Sequence, residues 1–296
     1  MPIIDYILPR NPVTQRRELH FIPTWVENFV GEHSYASLIA DSGGELLPSD
    51  TDGKYIALVQ KVGEQLAEHS LRKEFKYEFK IINSNVDNAW CLPGGKIAIN
   101  LGLIKKMEAE NNRFGLAAFS LEQKIAAVLS HEIIHAAARH TGRALEFRLF
   151  MMGIFKAVEI WVKYAFVTHP YEQKITQAKD KNSPLVAQLE REKNDKLQSI
   201  SRLFNHASAW ILRSLTLCNS RSHELESDKY GMSLMQKAMG TDAPQAAIWL
   251  QHFFHAHHPY PSGKWGRIWS FFSTHPTPQE RLEENKKTWA ELTKRS

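Results

Sequence analysis

Cysteine is scarce. Cys91 and Cys218 are the only two in 296 residues, which excludes a disulfide framework and predicts buried free thiols. A run of about 20 uncharged apolar residues, the length needed to cross a membrane as a helix, is missing too. Met1 to Arg10 lack the basic start and the apolar stretch of about 7–15 residues that mark a signal peptide. On these grounds a cytoplasmic location is expected for the sequence as given. No internal repeat is visible, and no charge of one sign dominates. The 37 Lys and Arg against 32 Asp and Glu leave a net +5, with the basic residues scattered among acids. That is the pattern of a solvated surface, and no nucleic-acid groove is expected. What is there is apolar bulk: 43% hydrophobic residues support one sizeable core with embellishments.

Chemistry concentrates in His131-Glu132-Ile133-Ile134-His135. Upstream, Ser120-Leu121-Glu122-Gln123 reads as a capping box. Apolar residues at Ile125, Ala126, Val128, Leu129, Ile133 and Ile134 then predict a helix of about five turns, stopped near Gly142. On that helix His131 and His135 share a face, so both imidazoles can reach one metal ion. Glu132 lies about 100° round the helix, beside the metal, where a carboxylate can take a proton from an activated water.

A tetrahedral catalytic zinc needs a third protein ligand. It does not come at the metzincin spacing, because Ala138 and Thr141 stand where glycine and histidine would be required. His140 falls about 140° from His135 on a continuous helix and is a poor candidate. The better one lies in Ser220-Arg221-Ser222-His223-Glu224-Leu225-Glu226-Ser227-Asp228. Glu224 and Asp228 are four apart and share a face, with Glu226 pointing roughly the opposite way. One of that pair can bind the metal while the other orients a ligand imidazole.

With these blocks in place, the sequence resembles family 48 of the metallopeptidases, which includes the CAAX prenyl protease, the HtpX heat-shock protease and the OMA-type mitochondrial protease. The resemblance covers about residues 55–290 in four ordered blocks. They are Asn88-Ala89-Trp90-Cys91-Leu92-Pro93-Gly94-Gly95, the His131 helix, Ser220-Arg221 with Glu224 to Asp228, and Ser273-Thr274-His275-Pro276 followed by Arg281. It implies zinc, one ion per chain, on His131, His135 and Glu224, with Glu132 as general base. Asp228 would orient a ligand, and His275 would lie near the metal. The implied activity is a zinc metalloendopeptidase acting on unfolded or misfolded proteins, in protein quality control. It also pulls the expected location towards the cell envelope or a membrane. His275 or Arg221 is the expected donor to the tetrahedral oxyanion. The alternative is a zinc-stabilised, chaperone-like binder of unfolded chains that does not cut them.

The fold expected is α+β and mostly helical, a gluzincin-type metalloprotease domain with a small antiparallel sheet beside the His131 helix. Residues 1–53 read as an arm with a short helix near Trp25 to Ala40, and 54–296 as the peptidase domain. Phe75, Tyr77, Phe79 and Ile81 alternate as a half-buried strand, and Lys96 to Asn100 form another after Pro93-Gly94-Gly95. By resemblance, an edge strand near Pro93 to Asn100 would hold an extended polypeptide substrate by main-chain pairing. Phe147 to Val167 carries Lys156, Glu159 and Lys163 as a polar stripe, predicting an amphipathic helix that packs on the protein or rests on a membrane. The charged stretch 171–200, broken at Asn182-Ser183-Pro184, reads as a helical insertion. His252, His255, His257 and His258 form a cluster with no carboxylate or cysteine among them, a weak second metal site.

Overall fold

A computed structural model describes residues 8–50, 53–110, 118–178, 183–218, 220–257 and 278–295. Its helices are α1 (Thr24–Asp41), α2 (Lys54–Ala67), α3 (Leu101–Ala109), α4 (Leu121–Ala137), α5 (His140–Lys163), α6 (His169–Gln177), α7 (Pro184–Cys218), α8 (Ser220–Met239), α9 (Gln245–His257) and α10 (Pro278–Arg295). Three strands, β1 (Glu78–Ile82), β2 (Ala89–Leu92) and β3 (Lys96–Asn100), complete a mostly helical α+β architecture.

The sheet has the order β1-β3-β2, with β1 parallel and β2 antiparallel to β3. It is therefore mixed, where an antiparallel sheet was expected. Lys96 to Asn100 is its central strand, with every residue buried, so it cannot be the substrate-binding edge. That edge is β2. Strand order is a long-range property that side-chain alternation does not encode. Between β2 and β3 the chain turns at Pro93–Gly95, with Gly94 at φ 79° and Gly95 at φ 81°. A Cβ on Gly94 would lie 2.9 Å from Asn28 Cα, and one on Gly95 2.8 Å from the Tyr77 ring. Only glycine fits there.

Helix α4 runs through the core. Its capping box is formed in both directions between Ser120 and Gln123. Ile125, Ala126, Leu129, Ile133 and Ala137 are completely buried, against Met232 and Met235 of α8 and Trp249 and Phe253 of α9. Each large side chain buried this way contributes about 1.5–3 kcal/mol. The helix stops at Ala137, earlier than the expected stop at Gly142. Arg139 takes the left-handed conformation, φ 58°, and its guanidinium reaches Ile22 O at 3.2 Å and Glu27 Oε1 at 3.4 Å. These tertiary contacts hold a conformation that a non-glycine residue rarely adopts. The chain re-enters helix at His140, and Gly142 lies inside α5.

Met1–Arg143 with Asn219–Ser296 forms one compact unit, and Ala144–Cys218 a second. The helical excursion is thus wider than the expected 171–200. The arm belongs to the first unit, tied to the end of α4 by Asn11 Nδ2 donating to Ala138 O at 2.8 Å. Within the second unit Glu159 is buried, paired with Lys156 and accepting from Ser201 Oγ of α7 at 3.0 Å. Of the polar stripe of Phe147 to Val167, Glu159 therefore turns inward and Lys156 stays exposed, while Leu149, Phe150, Ile154, Val158, Ile160, Trp161 and Phe166 are exposed as well. No helix among the described residues is long and apolar enough to cross a membrane.

Candidate metal centre

Four-residue spacing on α4 and burial of α8 against it bring His131, His135 and Glu224 to one point. His131 Nε2 lies 3.0 Å from His135 Nε2 and 3.3 Å from Glu224 Oε2, and His135 Nε2 lies 3.3 Å from Glu224 Oε1. A tetrahedral ion with bonds of about 2.0–2.1 Å holds its ligands about 3.3 Å apart. The three donors fit that cage. They are the one such group of His, Cys, Asp or Glu side chains among the described residues. The α9 histidines do not form a second. His257 instead pairs with Glu110, Nε2 to Oε2 2.9 Å, and His258 lies outside the described residues.

The outward nitrogens are also engaged. His131 Nδ1 meets Asp228 Oδ1 at 2.9 Å. Asp228 in turn accepts from Arg281 through both oxygens, at 2.7 and 2.6 Å, and Arg281 Nη1 lies 3.2 Å from Glu224 Oε2. Burial alone would push the His131 imidazole down, but hydrogen bonds to Asp228 and Glu224 raise it to about 10. Burial raises the Asp228 carboxyl, yet Arg281 beside it holds it below the usual range. The site is built to concentrate positive charge where the three donors meet.

His135 Nδ1 lies 3.2 Å from His140 Nδ1, and His140 Nε2 lies 3.2 Å from Glu226 Oε2. Burial, with His135 and His223 nearby, pushes the His140 imidazole well down. His140 is thus close to the centre, contrary to its angular position on a continuous helix. The break at Arg139 puts it there.

Glu132 lines the same cavity of about 430 Å³ as the three donors. One wall is the β2 edge, Ala89 to Cys91, and Leu250, Gln251 and Phe254 of α9 line it too. Burial first, then the charge of Glu132, pushes the Cys91 thiol up, so it stays a thiol. Gln251 is 1% exposed and its Oε1 has no hydrogen-bond partner among the described residues. Arg221 is not among the described residues that line this cavity; it is half-buried and pairs with Glu280 at 2.6 Å. At that position it is not placed to serve as the expected oxyanion donor. Arg281, which lines the cavity, was visible in the sequence only as the end of the fourth block. His275 lies outside the described residues.

A His-Glu-x-x-His helix, a distant glutamate completing its donor set and a cleft along a sheet edge define a metallopeptidase. The chain belongs to peptidase family M48, whose family model matches residues 56–288. It is similar to mitochondrial metalloendopeptidase OMA1 of Schizosaccharomyces pombe, 25% identical over 275 residues that cover 92% of this chain and 64% of that protein. The Arabidopsis thaliana protein of the same name is 25% identical over 245 residues, covering 78% and 38%. The one from Saccharomyces cerevisiae is 25% identical over 147 residues, covering 47% and 39%. The chain spans between 38% and 64% of the length of these relatives.

Proposed function

We propose that this chain is a zinc-dependent metalloendopeptidase that cuts extended segments of unfolded or misfolded proteins, in protein quality control. The observation that carries the reading is the convergence of His131, His135 and Glu224 at tetrahedral spacing, with Glu132 in the same cavity. Two imidazoles and one carboxylate suit zinc and leave one position open. Zinc held there supplies Lewis acidity, which polarises a carbonyl and lowers the pKa of water towards about 7. Glu132 takes the proton from the attacking water and hands it to the leaving amine nitrogen. Arg281 keeps Asp228 ionised and so keeps His131 in register. The substrate runs beside β2, whose outer edge, unpaired among the described residues, offers main-chain groups to an extended peptide. The exposed apolar side of α5 supports a further partner, a membrane surface.

The test uses unfolded casein with zinc-loaded protein. Cleavage that stops with chelator, and in a Glu132→Gln variant that keeps its zinc, is the expected outcome. Loss of the general base should lower turnover by about 10²–10⁴-fold. Casein bound but uncut by the wild type would assign the chaperone-like role instead.

A further inference from the structure

We propose that His140 and Glu226 are positioning residues for His135, forming a hydrogen-bonded relay behind the metal that mirrors Asp228 behind His131. The inference rests on the metallopeptidase reading and extends it to residues outside the donor set.

The direction of each hydrogen bond follows from what the metal requires. His135 presents Nε2 to the other donors, so a bound ion takes the Nε2 lone pair and the imidazole proton resides on Nδ1. That N–H points at His140 Nδ1, 3.2 Å away, which must accept. His140 then carries its proton on Nε2, and this faces Glu226 Oε2 at 3.2 Å. The Ser227 hydroxyl, 3.2 Å from His140 Nδ1, shares the same acceptor. The opposite tautomers would place a proton on His135 Nε2 and block ligation. Only one proton arrangement serves a metal, and Glu226 selects it.

Several features hold the relay in place. The His223 ring stacks on His140 at 4.2 Å and 4°. Glu226 is anchored by Arg16 of the arm at 2.6 Å, with Arg143 at 3.9 Å. The left-handed Arg139 swings His140 back against His135, which an unbroken helix would not do. A strained, non-glycine residue beside a functional histidine is a place where strain has a use.

The test is zinc affinity, read by competition with a chromophoric chelator, together with the visible spectrum of the cobalt-substituted protein. His140→Leu should weaken zinc binding about 10–100-fold and change the cobalt spectrum. His140→Gln, whose carbonyl can accept from His135, should recover part of the loss, and Glu226→Gln should lose less than His140→Leu. Far-UV circular dichroism of the metal-free variants establishes that they fold. Wild-type affinity and spectrum in folded His140→Leu overturn the relay; if that variant does not fold, wild-type behaviour in both His140→Gln and Glu226→Gln does so. His135→Ala separates this failure from that of the parent reading. A wild type that binds no zinc, or a His135→Ala variant that binds it equally well, removes the metal centre itself.

Discussion

Two imidazoles and two carboxylates face one another within a few ångströms, and a cation is the natural resident of that space. In the metal-free protein the cation is a proton on His131, because its folded value of about 10 lies above the ordinary imidazole value of about 6.5. The sign follows. This proton contributes stability that is fully present below pH 6.5 or so and is lost as pH rises through 10. Zinc must displace it, so ligation releases a proton and zinc affinity rises with pH up to about 10, then levels off. Titration calorimetry near pH 7.5, repeated in buffers of different ionisation enthalpy, should report at least about one proton released per zinc, from His131, with any further release coming from zinc-bound water. An affinity that does not change between about pH 7 and 9 would contradict this account. The residues of this centre differ in how readily sequence exposes them. His131, Glu132 and His135 are legible because four-residue spacing on a helix is a local rule. Glu224 and Asp228 became interpretable only through the companion motif. His140 and Glu226 were not legible, because their roles depend on a break in the helix.

At the scale of elements the same division holds. The start of α4 is readable, since a capping box is a contact between residues three apart. Its end is not, since Arg139 is held left-handed by Ile22 and Glu27, more than a hundred residues earlier. The sheet behaves alike: β1 and β3 could be recognised as strands, but which one lies at the edge depends on pairing across the fold. In α5 the periodicity was readable but its orientation was not. Glu159 turns towards Ser201 of α7 and leaves Trp161 61% and Phe166 66% exposed. A helix that exposes Trp161 and Tyr164 together with, elsewhere on its circumference, the basic side chains of Arg148 and Lys156 has the chemistry of one lying in a lipid interface. Sedimentation with anionic phospholipid vesicles should therefore capture the protein. A Trp161→Ser, Phe166→Ser double variant should be released while keeping its casein turnover, since neither residue lines the cavity. Equal capture of the double variant would remove the membrane face.

At the scale of the whole chain, the metal donors come from both sides of the second unit in sequence: His131 and His135 precede Ala144–Cys218, and Glu224 follows it. Zinc therefore closes a contact between α4 and α8 that the backbone makes only through a long detour. A ligand that binds the folded state alone adds stability as RT ln(1 + [L]/Kd), about 4 kcal/mol at a thousandfold excess over Kd. That increment belongs to the unit containing the donors. Amide hydrogen exchange resolves it, because protection reports the opening free energy segment by segment. Adding zinc should slow exchange in α4 and α8, and in α10 where Arg281 grips Asp228 and Glu224. Segments α6 and α7, which supply no donor, should exchange as before. Glu224→Gln should abolish the slowing in α4, since the imidazoles would lose the carboxylate that completes their cage. Slowing of equal size in α6 and α7 would mean that the two units open together, and the zinc increment would then belong to the entire chain.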